Sequence, residues 1–160
     1  MRIIALVFSF VFALGATAQQ NDVAPYQTSL GVKLSSGVAA SYKTFVTSKN
    51  AFEAQSSFFR EGMRLVALYE FHSYVFETVP GLAWYIGPGA HVGFWKRNFR
   101  DKYNSTVDIG IDGVLGLDYK MPSVPLNLSL DWQPSFSVVG NAGLSPQFGG
   151  IAIRYVFEHR

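Results

Sequence analysis

A chain of 160 residues is one domain's worth, and a formal net charge of +2 is too slight to single out nucleic acid as a partner. With 49% apolar and 15% charged residues it is rich enough for a large apolar surface, and without cysteine it has neither disulfide staples nor a cysteine lipid anchor. No run after the N-terminus approaches the ~18 apolar residues of a membrane-crossing helix, a test that barrel strands, apolar only at alternate positions, escape.

The N-terminus is read first. Arg2 supplies a short positive start, Ile3 to Leu14 an apolar run, and Ala16-Thr17-Ala18 a small-x-small site for cleavage before Gln19. Residues 1–18 therefore read as a cleaved signal peptide, and 19–160 as one exported domain. Eight alternating segments follow: Thr28 to Leu34, Ala39 to Val46, Ala51 to Phe59, Arg64 to Phe76, Leu82 to Trp95, Val107 to Tyr119, Leu126 to Val138, and Phe148 to Phe157. Between them stand turn residues such as Ser35-Ser36-Gly37, Ser48-Lys49-Asn50, Pro80-Gly81 and the stretch Gly140 to Pro146.

The alternation is clearest from Leu126 to Phe136, where Leu126, Leu128, Leu130, Trp132 and Phe136 oppose Asn127, Ser129, Asp131, Gln133 and Ser135. Successive strand side chains point to opposite faces, so such a segment has one apolar and one polar face. Volume decides which face points inward. An eight-stranded barrel is only just wide enough to be filled by side chains, and on the order of thirty mostly large apolar residues exceed that space. The parity rich in Gly, Ala and Ser fits a narrow lumen, and apolar-out with polar-in is the membrane-barrel pattern. Trp84, Trp95, Tyr119, Trp132 and Phe157 read as aromatic girdles near strand ends.

The closing Tyr155-Val156-Phe157, with Ile151 and Ile153 before it, resembles the C-terminal strand signature of bacterial outer-membrane β-barrel proteins. With its signal peptide and eight strands, the chain is similar to the small eight-stranded family typified by OmpX and the OmpA transmembrane domain. The tail Glu158-His159-Arg160 after the aromatic residue departs from that pattern. The resemblance implies an all-β, eight-stranded antiparallel up-and-down transmembrane barrel in a Gram-negative outer membrane. It also implies that the barrel-assembly machinery reads Tyr155 and Phe157 during insertion. An even strand count leaves both termini in the periplasm, which makes the Lys96 to Ser105 connection an outer loop.

Within that frame the inward parity gathers Lys33, Lys43, Arg64 and Arg154 with Glu53, Glu70, Asp108, Asp112, Asp118 and Asp131. Buried charges persist when paired, so an internal salt-bridge network that plugs the lumen is expected, with Arg154 as the partner of Asp131. The outer loop carries Lys96, Arg97, Arg100 and Lys102 against one acid, a set suited to the phosphates of lipopolysaccharide.

Catalytic, cofactor and metal sites are not expected. His72 and His91 fall at different depths and His159 in the tail, so no nucleophile–base set assembles. Asp108 to Gly113 echoes a calcium loop, yet Tyr119 stands where its bidentate acid belongs, and Gly87-Pro88-Gly89 with Gly93 misses the dinucleotide fingerprint. The expected role is structural or surface-interacting, as a monomer contacting outer-membrane lipid and lipopolysaccharide, with no open pore. Two alternatives stand beside it: an outer-membrane lipid-modifying enzyme, with Ser or His activated at the outer rim, and a secreted lipocalin-like barrel with its apolar face inward.

Overall fold

The computed structural model describes residues 24–74, 79–96, 106–140 and 142–157. The expected signal peptide lies outside the described residues, as do Phe76, Arg97, Arg100, Lys102 and the tail after Phe157. Eight strands run in chain order: β1 (Thr28–Leu34), β2 (Val38–Phe45), β3 (Asn50–Phe59), β4 (Gly62–Ser73), β5 (Leu82–Trp95), β6 (Val107–Lys120), β7 (Leu126–Val139) and β8 (Gly143–Phe157). Each pairs antiparallel with its chain neighbours, and β1 closes on β8 from Thr28 opposite Phe157 to Leu34 opposite Ile151. The chain is an all-β, closed, eight-stranded antiparallel barrel, with no helix among the described residues.

Closure fixes the parity of every strand, because a one-residue slip would exchange its two faces. On β7, Asn127, Ser129, Asp131, Gln133, Ser135 and Ser137 are buried inside, while Leu130, Trp132 and Phe136 lie exposed outside. Thirty large apolar side chains are exposed among the described residues; the buried apolar set is smaller and includes four alanines. Polarity is thus inverted relative to a water-soluble fold, as the alternation predicts.

Local expectations fail on β7 and β8 for identifiable reasons. β8 begins at Gly143, five residues before the expected Phe148, because Gly143, Leu144 and Ser145 pair with Ser137, Phe136 and Ser135. Gly143, Pro146 and Gly149 gave that stretch the composition of a loop. The register shift between Gln133 and Ser135 instead accommodates Pro134 and lets pairing continue. Trp132 is not at a strand end either: it lies mid-strand, opposite Leu115 of β6.

Rings close one end of the interior and line the other. At the end where β1 starts and β8 stops, Tyr26 from the segment before β1 packs with Phe45, Ala51 and Val156, its ring edge-on to Phe45 at 4.9 Å. At the far end Phe59, Trp95 and Phe148 share the inward parity, with Phe59 6.0 Å from Trp95 and 6.4 Å from Phe148 between centroids, so Trp95 lines the interior and does not belong to an outer girdle. The buried ion pairs lie between these two sets of rings.

Candidate functional site

All ten charged residues assigned to the interior are buried there. The largest group centres on Arg154, whose Nη2 donates to Glu53 Oε1 at 2.8 Å and whose Nε donates to Ser41 Oγ at 2.7 Å. Its Nη1 donates to Ser129 Oγ at 2.8 Å and Asn127 Oδ1 at 3.1 Å. Beside it, Lys43 Nζ is 2.8 Å from Glu70, 3.2 Å from Glu53 and 3.4 Å from Asp118, and lies 4.2 Å above the Tyr85 ring. The Tyr26 hydroxyl donates to Asp118 Oδ2 at 3.2 Å. Burial, reinforced by the neighbouring Asp118 carboxylate, holds the Tyr26 phenol well above its ordinary pKa, so it keeps the proton that it donates.

Asp131 is paired with Lys33, at 2.7 and 2.8 Å to its two oxygens, and accepts from the Tyr85 hydroxyl at 2.8 Å. The expected Asp131–Arg154 pair does not form. Asp131 stands opposite Gly150 on β8, four residues from Arg154, which is a separation of roughly 13 Å along a strand. Arg154 instead stands beside Gly31 of β1, where a Cβ would collide with the Ile153 carbonyl oxygen and Arg154 Cα, and its guanidinium reaches Ser41 on β2 and Glu53 on β3.

A second group lies nearer the far end. Asp112 bridges two bases, with Arg64 Nη2 2.5 Å from Oδ1 and His91 Nδ1 2.8 Å from Oδ2. His91 Nε2 lies 3.3 Å from Asp108 Oδ2 and 3.4 Å from Ser137 Oγ, and Phe148 covers the Arg64 guanidinium at 4.0 Å. Beside Lys33 and Arg64 sits a recess of about 10 Å³ lined also by Gln55, Ser57, Gln133 and Phe148, among others, with room for roughly one water.

Sequence reasoning passed over Ser137. The signal that finds it is register: His91 stands opposite Gly110, and Gly110 opposite Ser137, in one row across β5, β6 and β7. Gly110 leaves the space between them open, since a Cβ there would lie 2.5 Å from the His91 ring. His72 is buried near the opposite end, stacked on Tyr85 at 5.0 Å and 3.6 Å from Glu70, well away from His91.

Outside the interior, Tyr155 and Phe157 point outward and pack edge-on at 5.3 Å. Lys96, the one described member of the basic loop set, donates to the Arg60 carbonyl at 2.9 Å at the far end. No group of three or more His, Cys, Asp or Glu arranged to hold a metal ion occurs among the described residues. Comparison with protein-family models, with curated proteins and with solved structures finds no match for the chain.

Proposed function

We propose that the chain is an integral outer-membrane barrel whose lumen is plugged by ion pairs, acting as a monomer in a structural or surface-interacting role. The observation that carries this reading is the inversion of polarity around one closed sheet. Leu30, Ile86, Leu115 and Ile151 are exposed on the wall while Lys43, Glu53, Glu70 and Arg154 are fully buried behind it. A water-soluble monomer rarely exposes apolar patches beyond a few hundred Å², and a lipocalin-like binder needs its apolar face inward. Lipid accepts such a wall, and closure leaves no backbone edge unpaired where the strands meet it. The buried cluster of Tyr26 and Phe45 at one end and the buried ion pairs favour a plug over an aqueous path.

In this setting Tyr155 and Phe157 form the terminal aromatic strand presented to the assembly machinery. Lys96, Arg97, Arg100 and Lys102 form an outer basic loop for lipopolysaccharide phosphates. Replacing the four cations together by Gln is expected to weaken lipopolysaccharide retention, and unchanged retention removes that contact from the proposal.

The deciding experiment is expression of the full chain in a Gram-negative host followed by fractionation. Recovery in the outer-membrane fraction, release only by detergent, and a heat-dependent shift in gel mobility are expected. Release as a folded protein into aqueous buffer without detergent overturns the proposal.

A further inference from the structure

The row His91–Gly110–Ser137, with Asp112 two residues beyond Gly110 on β6, brings three groups of acyl-transfer chemistry together. Ser137 Oγ is 3.4 Å from His91 Nε2, and the opposite ring nitrogen, Nδ1, is 2.8 Å from Asp112 Oδ2. This is the order nucleophile, base, orienting carboxylate that activates a hydroxyl. Asp112 is itself held by Arg64 at 2.5 Å, which limits its freedom to turn away from the imidazole. The register also shifts beside the site: Ile109 pairs with Val139 while Gly110 pairs with Ser137, an irregularity of the kind that re-aims side chains next to active sites. Ser137 is the last buried inward residue of β7 before Val138 and Val139, both exposed.

We propose that Ser137, His91 and Asp112 form a nucleophilic site at the far end of the lumen, which takes the acyl group of a small ester. Ser137 Oγ attacks the ester carbonyl carbon while its proton passes to His91 Nε2. The bond from that carbon to the alcohol oxygen then breaks, and the imidazolium returns the proton to the departing alkoxide. Water, deprotonated by the same nitrogen, hydrolyses the acyl-serine to a free acid and restores the hydroxyl. Asp108 also lies 3.3 Å from Nε2, so the base acts in the tautomer whose proton is on Nδ1, towards Asp112, which leaves the Nε2 lone pair for the Ser137 proton. The separation of 3.4 Å is long for a hydrogen bond, and such contacts tighten when substrate binds. Phe59, Trp95 and Phe148, inward and half-buried at the same end, supply an apolar surface for a short acyl chain.

The test uses the purified full chain folded in detergent micelles, with a fluorophosphonate probe and p-nitrophenyl butyrate as substrate. Labelling is expected at one residue, mapped to Ser137 by mass spectrometry, with ester hydrolysis above the micelle background. Ser137→Ala is expected to abolish both, His91→Gln to slow both by at least ~100-fold, and Ser135→Ala to leave both unchanged. Absence of wild-type labelling overturns the proposal, and so does equal labelling of Ser137→Ala. If His91→Gln fails to fold, the mapped wild-type residue and the near-isosteric Ser137→Ala still decide. Neither readout depends on where the protein resides in the cell, so this site and the membrane reading fail separately.

Discussion

Arg154 is the residue on which the interior depends most directly. Its four hydrogen bonds to Ser41, Glu53, Asn127 and Ser129 are made inside the barrel, where water cannot replace them. Removing one partner of a buried pair is costly because the other is left charged and uncompensated, whereas removing both can be nearly neutral. Arg154→Met is therefore expected to destabilise the barrel by about 3–5 kcal/mol, and Arg154→Met with Glu53→Met by clearly less than the sum of the single changes. Urea unfolding of the four proteins in lipid vesicles measures the cycle. Additive losses would mean that the 2.8 Å contact between Arg154 and Glu53 is not energetically coupled. Tyr26→Phe is a milder probe of the same region. It deletes the hydroxyl bonded to Asp118 and keeps the ring against Phe45, so a loss of about 1–3 kcal/mol is expected.

At the scale of the strands, β6 shows why small inward residues matter. Gly110 and Gly116 leave the volume that the His91 and Tyr85 rings occupy, and a Cβ on Gly116 would lie 2.6 Å from Tyr85 and 2.7 Å from the Asp131 Cβ. Gly116→Ala is expected to cost about 1–3 kcal/mol through overpacking, with a changed near-ultraviolet circular dichroism as the Tyr85 ring is displaced. An unchanged unfolding midpoint and spectrum would show that the ring has room to move. These strands also show what alternation reveals and what it does not. Val107 to Tyr119 and Leu126 to Phe136 display their two faces in the one-dimensional order of residues, which was enough to assign strands and inward charges. Pairing across the barrel depends on register, which no single strand carries. Asp131 meets Lys33 rather than Arg154 because of the offset between β7 and β8, and Ser137 meets His91 because glycine stands between them. The start of β8 was hidden for a third reason: Gly143, Pro146 and Gly149 carry turn composition into a paired strand.

For the whole molecule, the direction of the apolar face is an energetic claim with opposite consequences in water and in lipid. Leu115 lies mid-strand on β6, is 46% exposed, and stands between Ile86 and Trp132 on the outer wall. An arginine there would be solvated in an aqueous setting and would disturb little. At the centre of a bilayer the same arginine is expected to cost about 2–4 kcal/mol, a penalty that fades towards the membrane interfaces. Leu115→Arg should therefore destabilise the barrel strongly in lipid vesicles. Phe157→Arg, at the end of β8, should destabilise it by a smaller amount. The depth dependence separates lipid from a local packing loss, because packing would penalise a half-exposed residue similarly at either height. Equal, small effects at the two positions in reversible vesicle unfolding would show that this wall does not face hydrocarbon. A steep difference would make the thirty exposed apolar side chains the surface that lipid covers.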